Sequence, residues 1–377
     1  MYDMSEQKII TAENNYSALD EYITKSGSKS IMLVCDESLR FLKIKEYFAG
    51  LSDRLKISLT YFSNFKPNPL YESVVEGVRL FKEKECDTII AVGGGSAMDV
   101  AKCIKLYSNM NDDENYLKQT IVPNEIPLLA VPTTAGTGSE ATRFAVIYFS
   151  GEKQSVADVS CIPSVVLMDP SVLKTLPEYQ KKSTMLDALC HAIESFWSVN
   201  STEESREFSK TAIQMILANK DAYLANEENG NAAMLKAANI AGKAINITQT
   251  TAGHAMCYKL TSLYGIAHGH AAALCLSKLF PFMVSHIEKC IDHRGEDFLK
   301  DIFAQISSAM GCDNADQACT KFSDIFDSLS LSVPKAEEKD FNILKNSVNP
   351  TRLKNNPVGL EIDDIDMLYH EILAERK

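Results

Sequence analysis

Residues 88–96, TIIAVGGGS, join a run of apolar and β-branched residues directly to three glycines. Such a run is typical of a buried strand that ends in a tight turn. Because glycines have no Cβ atom, they let backbone N–H groups approach a pyrophosphate, and the N-terminus of a following helix adds partial positive charge. We expect that helix to begin near Ser96, with Ser96 as its cap and Asp99 as the acidic partner of a capping box.

The glycine stretch by itself fits two interpretations, a phosphate site and a tight turn without a ligand. It is not the GxGxxG pattern of dinucleotide-binding folds, and it lacks the GK[ST] ending of an ATP-type loop. A second loop of small residues, TTAGTGS at residues 133–139, follows another apolar run. Two such loops at the carboxyl ends of strands in one sheet favour a shared cofactor.

Asp36 follows the apolar run SIMLVC at residues 30–35. A carboxylate at the end of that strand could bind the ribose hydroxyls of an adenosine and would repel a 2′-phosphate. An ordinary helix cap explains Asp36 equally well. The preference for NAD over NADP therefore rests on Asp36 alone.

The first half of the chain alternates strand-like and helix-like patterns. Apolar runs at residues 57–65, 127–132 and 164–171 are typical of strands, and residues 70–87 place apolar side chains at helical spacing. After residue 177, strand patterns give way to long helical ones. The pattern predicts an α/β protein with two domains. These are an N-terminal Rossmann-like parallel-sheet domain, residues 1–177, and an all-helical C-terminal domain, residues 178–377, with ligands expected in a cleft between them.

Composition excludes several classes of protein. The 377 residues carry a net charge of −12, which argues against a nucleic-acid or anionic membrane surface as partner. The ten cysteines are scattered without a CxxC pair, the N-terminus lacks a signal-peptide pattern, and no apolar stretch reaches the roughly 18 residues of a membrane span. We therefore expect a reduced cytoplasmic protein that acts on a small molecule.

Histidines in the second half of the chain provide the sharper chemical signal. Asp187 and His191 are four residues apart and share one helix face, and His254, His268 and His270 follow. One carboxylate with three imidazoles suits Fe²⁺ or Zn²⁺, which is a Lewis acid when a coordination position stays open. An Asp-x3-His pair is more often a simple hydrogen-bonded pair. The apolar neighbours favour ligands, because a polar ring without a partner is costly there.

At this point the chain resembles the iron-containing, or group III, alcohol dehydrogenases over nearly its whole length. GGGSAMDVAK is similar to the family's GGGSxxDxAK, PTTAGTGSEAT is similar to its PTTxGTGSE, and DALCHAIES falls where the family places metal ligands. The resemblance implies four metal ligands, Asp187, His191, His254 and His268. It also implies NAD(P) contacts at Asp36, Gly94, Gly95, Ser96, Asp99, Thr133, Thr134, Thr137 and Lys153.

One position departs from the family pattern. Many members carry a further histidine four residues after the third ligand, where this chain has Tyr258. A proton relay in this chain must therefore use Tyr258, His270, the cofactor ribose or water.

The segments at residues 195–206 and 258–274 are similar to the phosphonoacetaldehyde reductase branch of the family. A dianionic substrate needs cations in its site. The candidates are Arg143, Lys259 and Arg206, with Tyr258 and His270 as further substrate-contacting candidates. Pairing of Arg206 with Glu203 on its own helix and solvation of Lys259 are the competing explanations.

The resemblance implies a metal-dependent NAD(P)H oxidoreductase that reduces an aldehyde to a primary alcohol, with phosphonoacetaldehyde, giving 2-hydroxyethylphosphonate, as the leading substrate. The alternatives are a simple short-chain aldehyde or alcohol such as lactaldehyde or butanol, a lyase of the dehydroquinate synthase type, and a metal-binding module without catalysis. Fe²⁺ is the expected metal, with Zn²⁺ as the alternative. A homodimer is expected.

Overall fold

The computed structural model describes residues 7–12 and 15–374. It divides into two compact units, Met1–Leu176 with Ala225–Asn239 and Pro177–Leu224 with Ile240–Lys377. The division expected from the sequence placed residues 225–239 in the helical domain, whereas the structure groups them with the first unit. At the end of this segment, the Asn239 side-chain amide lies 3.4 Å from a carboxylate oxygen of Glu140 in the same unit.

A parallel six-stranded sheet forms the centre of the first unit, in the order β1-β8-β5-β4-β2-β3. The apolar runs of the sequence form its inner strands, whose side chains are almost all buried. The Rossmann-like α/β prediction is therefore confirmed. The strands in chain order are β1 Lys8–Thr11, β2 Ser30–Cys35, β3 Ser58–Phe62, β4 Thr88–Gly93, β5 Leu128–Pro132, β6 Phe144–Phe149, β7 Glu152–Ala157 and β8 Val165–Met168.

Helices connect the strands of this sheet. They are α1 Ser17–Ser26, α2 Ile44–Ala49, α3 Leu51–Leu55, α4 Tyr71–Glu83 and α5 Gly95–Tyr107. Helix α4 buries one face, which includes Val74, Val78 and Phe81, at the spacing that the sequence predicts. It packs tightly on α5, because a Cβ atom at Gly77 would lie 2.4 Å from Ile104 Cδ1.

The hairpin of β6 and β7 was not predicted from the sequence. These strands pair antiparallel and stand apart from the main sheet. Their turn places Ser150 and Gly151 at φ 52° and 81°, as a type I′ turn requires. The dipeptide Ser-Gly between two strand-like runs was the available signal.

The rest of the chain is helical, which confirms the all-helical prediction for its C-terminal part. Helix α10 is buried on nearly all sides and packs against α6, α9, α12 and α15. In the described ranges, no helix is long and apolar enough to cross a bilayer. The helices are α6 Glu178–Trp197, α7 Glu203–Leu224, α8 Glu228–Thr248, α9 Ala252–Tyr264, α10 His268–Ser285, α11 Glu296–Ala309, α12 Ala315–Ser328, α13 Glu338–Asn346, α14 Pro350–Leu353 and α15 Ile362–Ile372.

Candidate active site

Helix α6 carries the first two candidate metal ligands on one face. Asp187 and His191 are one turn apart, and their side chains are 3% and 7% exposed. The ligand atoms, Asp187 Oδ1 and His191 Nε2, are 4.0 Å apart. Both residues lie inside a continuous helix, so the periodicity seen in the sequence correctly places them together.

Helices α9 and α10 bring two more imidazoles to the same carboxylate. His254 lies in the first turn of α9, and His268 is the first residue of α10. Their Nε2 atoms lie 3.5 Å and 3.9 Å from Asp187 Oδ1. Asp187, His254 and His268 place ligand atoms within 4.8 Å of one another. The fourth residue that the resemblance implied as a ligand, His191, lies outside this group, and its Nε2 is 4.0 Å from Asp187 Oδ1.

This arrangement fits a divalent metal ion. Ligand atoms held about 2.1 Å from a tetrahedral ion lie roughly 3.4 Å apart, close to the separations found here. Asp187 Oδ1 and His254 Nε2 are buried and have no hydrogen-bond partner among the described residues. Buried polar atoms without partners are costly, and a shared cation would satisfy both.

The electrostatics of the cluster favour positive charge at this place. Burial alone would raise the pKa of Asp187, but His191, His268 and His254 together hold it well below its usual range. Burial alone would lower the pKa of His254, but the carboxylates of Glu194 and Asp187 raise it to about 10. The carboxylates thus stabilise cationic charge among the imidazoles, as they would stabilise a bound metal ion.

Glu194 is a functional candidate that the sequence interpretation missed. It is completely buried, and one carboxylate oxygen contacts Nδ1 of His254. The signal was present in the sequence, since Glu194 follows Asp187 and His191 at helical spacing on one face of α6.

Tyr258, in place of the family's further histidine, lies beside the cluster. Its ring stacks on His268 with centroids 5.7 Å apart and an interplanar angle of 9°. Burial raises the pKa of its hydroxyl, and the charges of His254 and Arg352 oppose that rise. The Arg352 guanidinium also donates a hydrogen bond to the Gln249 side chain. The sequence interpretation missed Arg352, because it lies far along the chain from the other site residues.

His270 is buried two residues beyond His268. Its Nδ1 lies 3.1 Å from the hydroxyl of Tyr179, and its ring packs against Phe326. Its backbone N–H donates to the hydroxyl of Ser183 on α6. These contacts anchor the start of α10, and His270 is outside the group of ligand atoms around Asp187.

The three cationic side chains proposed to bind the substrate, Arg143, Arg206 and Lys259, lie in different parts of the structure. Arg143 belongs to the first unit, with its guanidinium 5.1 Å from the Phe144 ring centroid. Arg206 lies over the ring of Phe298 and donates a hydrogen bond to the Ser201 carbonyl. These two contacts already occupy its guanidinium. Lys259 is half-buried and follows Tyr258 by one residue, about 100° around α9.

In the first unit, the two loops of small residues lie side by side at the carboxyl ends of β4 and β5. A Cβ atom at Gly94 would lie 3.3 Å from Thr134 Oγ1, and one at Gly95 would lie 3.2 Å from Thr137 Cγ2. Thr133 donates its backbone N–H to the Gly93 carbonyl. The structure therefore brings these predicted cofactor residues into one loop cluster.

Asp36 lies at the end of β2, which neighbours β4. Its carboxylate accepts a hydrogen bond of 2.8 Å from the Ser38 backbone N–H. Its other oxygen lies 3.4 Å from where a Cβ atom of Gly93 would be. Asp36 therefore caps a short helix and also lies next to the glycines. Its position agrees with a role as a helix cap and with a role in binding the adenosine ribose.

The predicted capping by Ser96 is wrong. Helix α5 begins at Gly95, its cap residue is Gly94, and no side chain caps it. Ser96 therefore lies inside the first turn, and the carboxylate of Asp99 accepts instead from the Ser139 hydroxyl at 3.1 Å. Glycine at the cap leaves the first N–H groups without a competing side-chain acceptor, as an anion site at this helix end requires.

Lys102, which the sequence interpretation also missed as a site residue, organises the second loop. Its ammonium is fully buried and donates to the carbonyls of Ser139, Thr142 and Phe144 at 2.6–2.7 Å. It thereby connects α5 to the loop that follows β5. Lys153 is exposed on β7, and its charge helps to lower the pKa of Asp99, which burial raises to about 6.

Comparison with known proteins identifies the family. The sequence model described as iron-containing alcohol dehydrogenase matches residues 6–170, and that of the Fe-containing alcohol dehydrogenase family, C-terminal, matches residues 181–373. The NAD-dependent methanol dehydrogenase of Bacillus methanolicus is 28% identical over 92% of this chain and 93% of its own. The phosphonoacetaldehyde reductase of Streptomyces viridochromogenes is 29% identical over 80% of each chain.

A solved structure agrees with this result. The crystal structure of a 1,3-propanediol oxidoreductase is 26% identical, with a TM-score of 0.84 over 97% of both chains. The two family sequence models together match well over half of the chain. The chain therefore belongs to the iron-containing alcohol dehydrogenase family, and it is an enzyme of the NAD-dependent alcohol dehydrogenase class.

Proposed function

We propose that Asp187, His191, His254 and His268 hold one divalent metal ion, with Fe²⁺ as the expected ion and Zn²⁺ as the alternative. The observation that carries this proposal is the convergence of three imidazole Nε2 atoms within 4.0 Å of Asp187 Oδ1. Zn²⁺ is the alternative because it generally binds such ligands more tightly than Fe²⁺.

The same proposal assigns NAD to the loop cluster of the first unit. The free N–H groups at the start of α5, with Gly94, Gly95 and Ser96, suit a pyrophosphate. Asp36 suits the adenosine ribose and favours NAD over NADP. Thr133, Thr134, Thr137, Asp99 and Lys153 complete the proposed contacts.

When bound, the metal supplies Lewis-acid polarisation of a carbonyl group, and the reduced nicotinamide supplies a hydride. The chain's own residues position these groups and deliver the proton. Tyr258 is the best protein candidate for the proton donor, because it stacks on His268. Its pKa is raised by burial, so its Oη keeps a proton at neutral pH.

The proposed substrate is a short aldehyde with an anionic tail, and phosphonoacetaldehyde, reduced to 2-hydroxyethylphosphonate, is the leading candidate. Two observations support an anionic tail. One relative is a phosphonoacetaldehyde reductase, and Arg352 lies on α14, which packs against α9, the helix that carries Tyr258 and His254. A guanidinium binds phosphonate oxygens well, because its N–H groups can form paired, charge-assisted hydrogen bonds.

The second candidate function is the same reaction on an uncharged short-chain aldehyde such as lactaldehyde or butyraldehyde. The similarity to a methanol dehydrogenase favours it. A lyase of the dehydroquinate synthase type stays a third alternative. In that reaction the nicotinamide is regenerated within each turnover, so steady NADH consumption with an aldehyde would exclude it.

The test is a steady-state NADH assay on the metal-loaded protein with phosphonoacetaldehyde, lactaldehyde and butyraldehyde, for the wild type and Arg352→Gln. We expect phosphonoacetaldehyde to be preferred by the wild type. In Arg352→Gln we expect its KM to rise about 10- to 100-fold, since a hydrogen bond to a charged group contributes about 1.5–3 kcal/mol. The kinetic constants for butyraldehyde should change less than about threefold.

Arg206→Gln is the matched control, because Arg206 is engaged with Phe298 and Ser201. It should leave all three substrates nearly unaffected. A wild-type preference for butyraldehyde would favour the second candidate function. An equal effect of Arg352→Gln on charged and uncharged aldehydes would contradict the role of Arg352.

A homodimer and a cytoplasmic location, both predicted from the sequence, stay part of this proposal. Sedimentation of the purified protein tests the first of them.

A further inference from the structure

Glu194 is a completely buried carboxylate whose two oxygen atoms have separate partners. One oxygen, Oε2, contacts Nδ1 of His254. The other, Oε1, accepts from the Thr251 hydroxyl at 2.6 Å, and from the backbone N–H groups of Thr251 and His254, each at 3.2 Å. Burial of a carboxylate is costly unless it is fully hydrogen-bonded, and this one is.

We propose that Glu194 is a positioning residue that fixes the tautomer and the ring orientation of His254. A carboxylate only accepts hydrogen bonds, so Nδ1 of His254 must carry the proton that it shares with Oε2. In the neutral, metal-binding form of the imidazole, a proton on Nδ1 leaves the lone pair on Nε2, the atom that lies 3.5 Å from Asp187 Oδ1. The inference rests on the proposed metal ligands and not on the proposed substrate.

The surroundings hold Glu194 itself in place. The Thr251 hydroxyl that donates to Oε1 also accepts a 3.0 Å hydrogen bond from the indole N–H of Trp197. Gly253 allows the start of α9 to approach the carboxylate, because a Cβ atom there would lie 3.0 Å from Oε1. These contacts define the position of Oε2 and therefore the orientation of the imidazole.

A structural role is the competing explanation, since Oε1 also satisfies backbone N–H groups at the start of α9. Glu194→Gln separates the two roles. A glutamine keeps one carbonyl oxygen for the three donors at Oε1, but its NH₂ group cannot accept a hydrogen bond from Nδ1–H. In this variant His254 is driven to the other tautomer, in which the proton on Nε2 blocks metal binding.

The experiment measures metal affinity without turnover. Purified protein is stripped with a chelator, and Zn²⁺ is titrated back against a chromophoric competitor for the wild type, Glu194→Gln, Thr251→Val and His254→Ala. We expect Glu194→Gln to weaken Zn²⁺ binding about 10- to 100-fold, the range typical for partners of metal-bound histidines. Thr251→Val keeps the Oε2 contact, so its affinity should fall no more than about threefold.

Co²⁺ loading gives a second readout. The visible absorption bands of bound Co²⁺ should shift or weaken in Glu194→Gln and stay close to the wild type in Thr251→Val. NADH binding by the same protein samples reports that the loop cluster of the first unit is intact.

Two results would overturn the inference while leaving the metal site in place. In both, His254→Ala has lost Zn²⁺ binding. In the first, Glu194→Gln binds Zn²⁺ as tightly as the wild type, and in the second, Thr251→Val loses as much Zn²⁺ affinity as Glu194→Gln. Wild-type affinity in His254→Ala would overturn the ligand assignment and, with it, the role of Glu194.

Discussion

Lys181 is a buried cation on α6, two turns before the metal ligands. It is 4% exposed, donates a hydrogen bond of 2.9 Å to the Tyr223 carbonyl, and lies 4.4 Å from the centroid of the Tyr223 ring. Burial lowers its pKa to about 8. The unfolded chain should titrate near the ordinary lysine value of about 10.4.

This difference predicts how stability depends on pH. Between about pH 8 and 10.4 the unfolded chain binds more protons at Lys181 than the folded protein, so the free energy of unfolding rises with pH there. The slope cannot exceed about 1.4 kcal/mol per pH unit. Lys181→Met should remove the contribution of Lys181 to that rise. The lost hydrogen bond should also change the free energy of unfolding by an amount that does not depend on pH.

Denaturant unfolding at pH 7.5 and 9.5 tests this prediction. Trp197 is the only tryptophan and is buried in the same unit, so its fluorescence reports that unit's unfolding. The same change with pH in wild type and Lys181→Met would contradict it.

At the residue scale, the sequence predicts site residues that follow one another at helical spacing along one helix. Asp187 and His191 share a helix face by spacing, and Glu194 follows the same period, although it was not recognised. Arg352 had no such signal, because α14, which carries it, is far along the chain from α9, which carries Tyr258, and the two helices meet only through packing. The role of His270 could not be derived from its spacing to His268 either.

At the element scale, the metal cluster depends on how closely α10 approaches α6. A Cβ atom at Gly269 would lie 2.1 Å from the Ser183 carbonyl and 2.6 Å from Asp187 Cβ. Only a glycine fits there, and it follows the ligand His268 directly. The close contact of these helices therefore brings His268 to Asp187.

Gly269→Ala should push the first turn of α10 away from α6 and separate His268 from Asp187. We expect at least a tenfold loss of Zn²⁺ affinity and a destabilisation of about 1–3 kcal/mol, as for other overpacked sites. Chelator competition and Trp197 fluorescence measure the two effects.

Gly50→Ala is the control, because a Cβ atom there meets the flexible end of Arg54 at 3.3 Å. That variant should bind Zn²⁺ like the wild type. Unchanged Zn²⁺ affinity in Gly269→Ala would show that the approach of the two helices does not determine the site.

Strands with continuous apolar runs and helices with apolar residues at helical spacing could be predicted from the sequence. Irregular connections between them could not. The apolar runs correctly predicted β2, β4, β5 and β8, since buried parallel strands need continuous apolar side chains. The cap of α5 was predicted two residues too late, because Ser96 was preferred as cap over Gly94. The loop after β5 depends on Lys102, whose role emerges only from its three-dimensional contacts.

At the scale of the whole molecule, the two proposed binding functions belong to different units. The loop cluster for the cofactor lies within the first unit, and the four proposed metal ligands lie within the second. A change at one ligand should therefore affect turnover without affecting cofactor binding. His268 suits this test best, because its side chain is 37% exposed and its removal creates no buried cavity.

The most direct test of metal-dependent hydride transfer is the rate of NADH oxidation by His268→Ala with phosphonoacetaldehyde, measured beside its NADH affinity. We predict that turnover falls at least about 1000-fold, since Lewis-acid stabilisation contributes several kcal/mol. The NADH dissociation constant should stay within about threefold of the wild type. Turnover within tenfold of the wild type, with NADH still bound, would contradict the account.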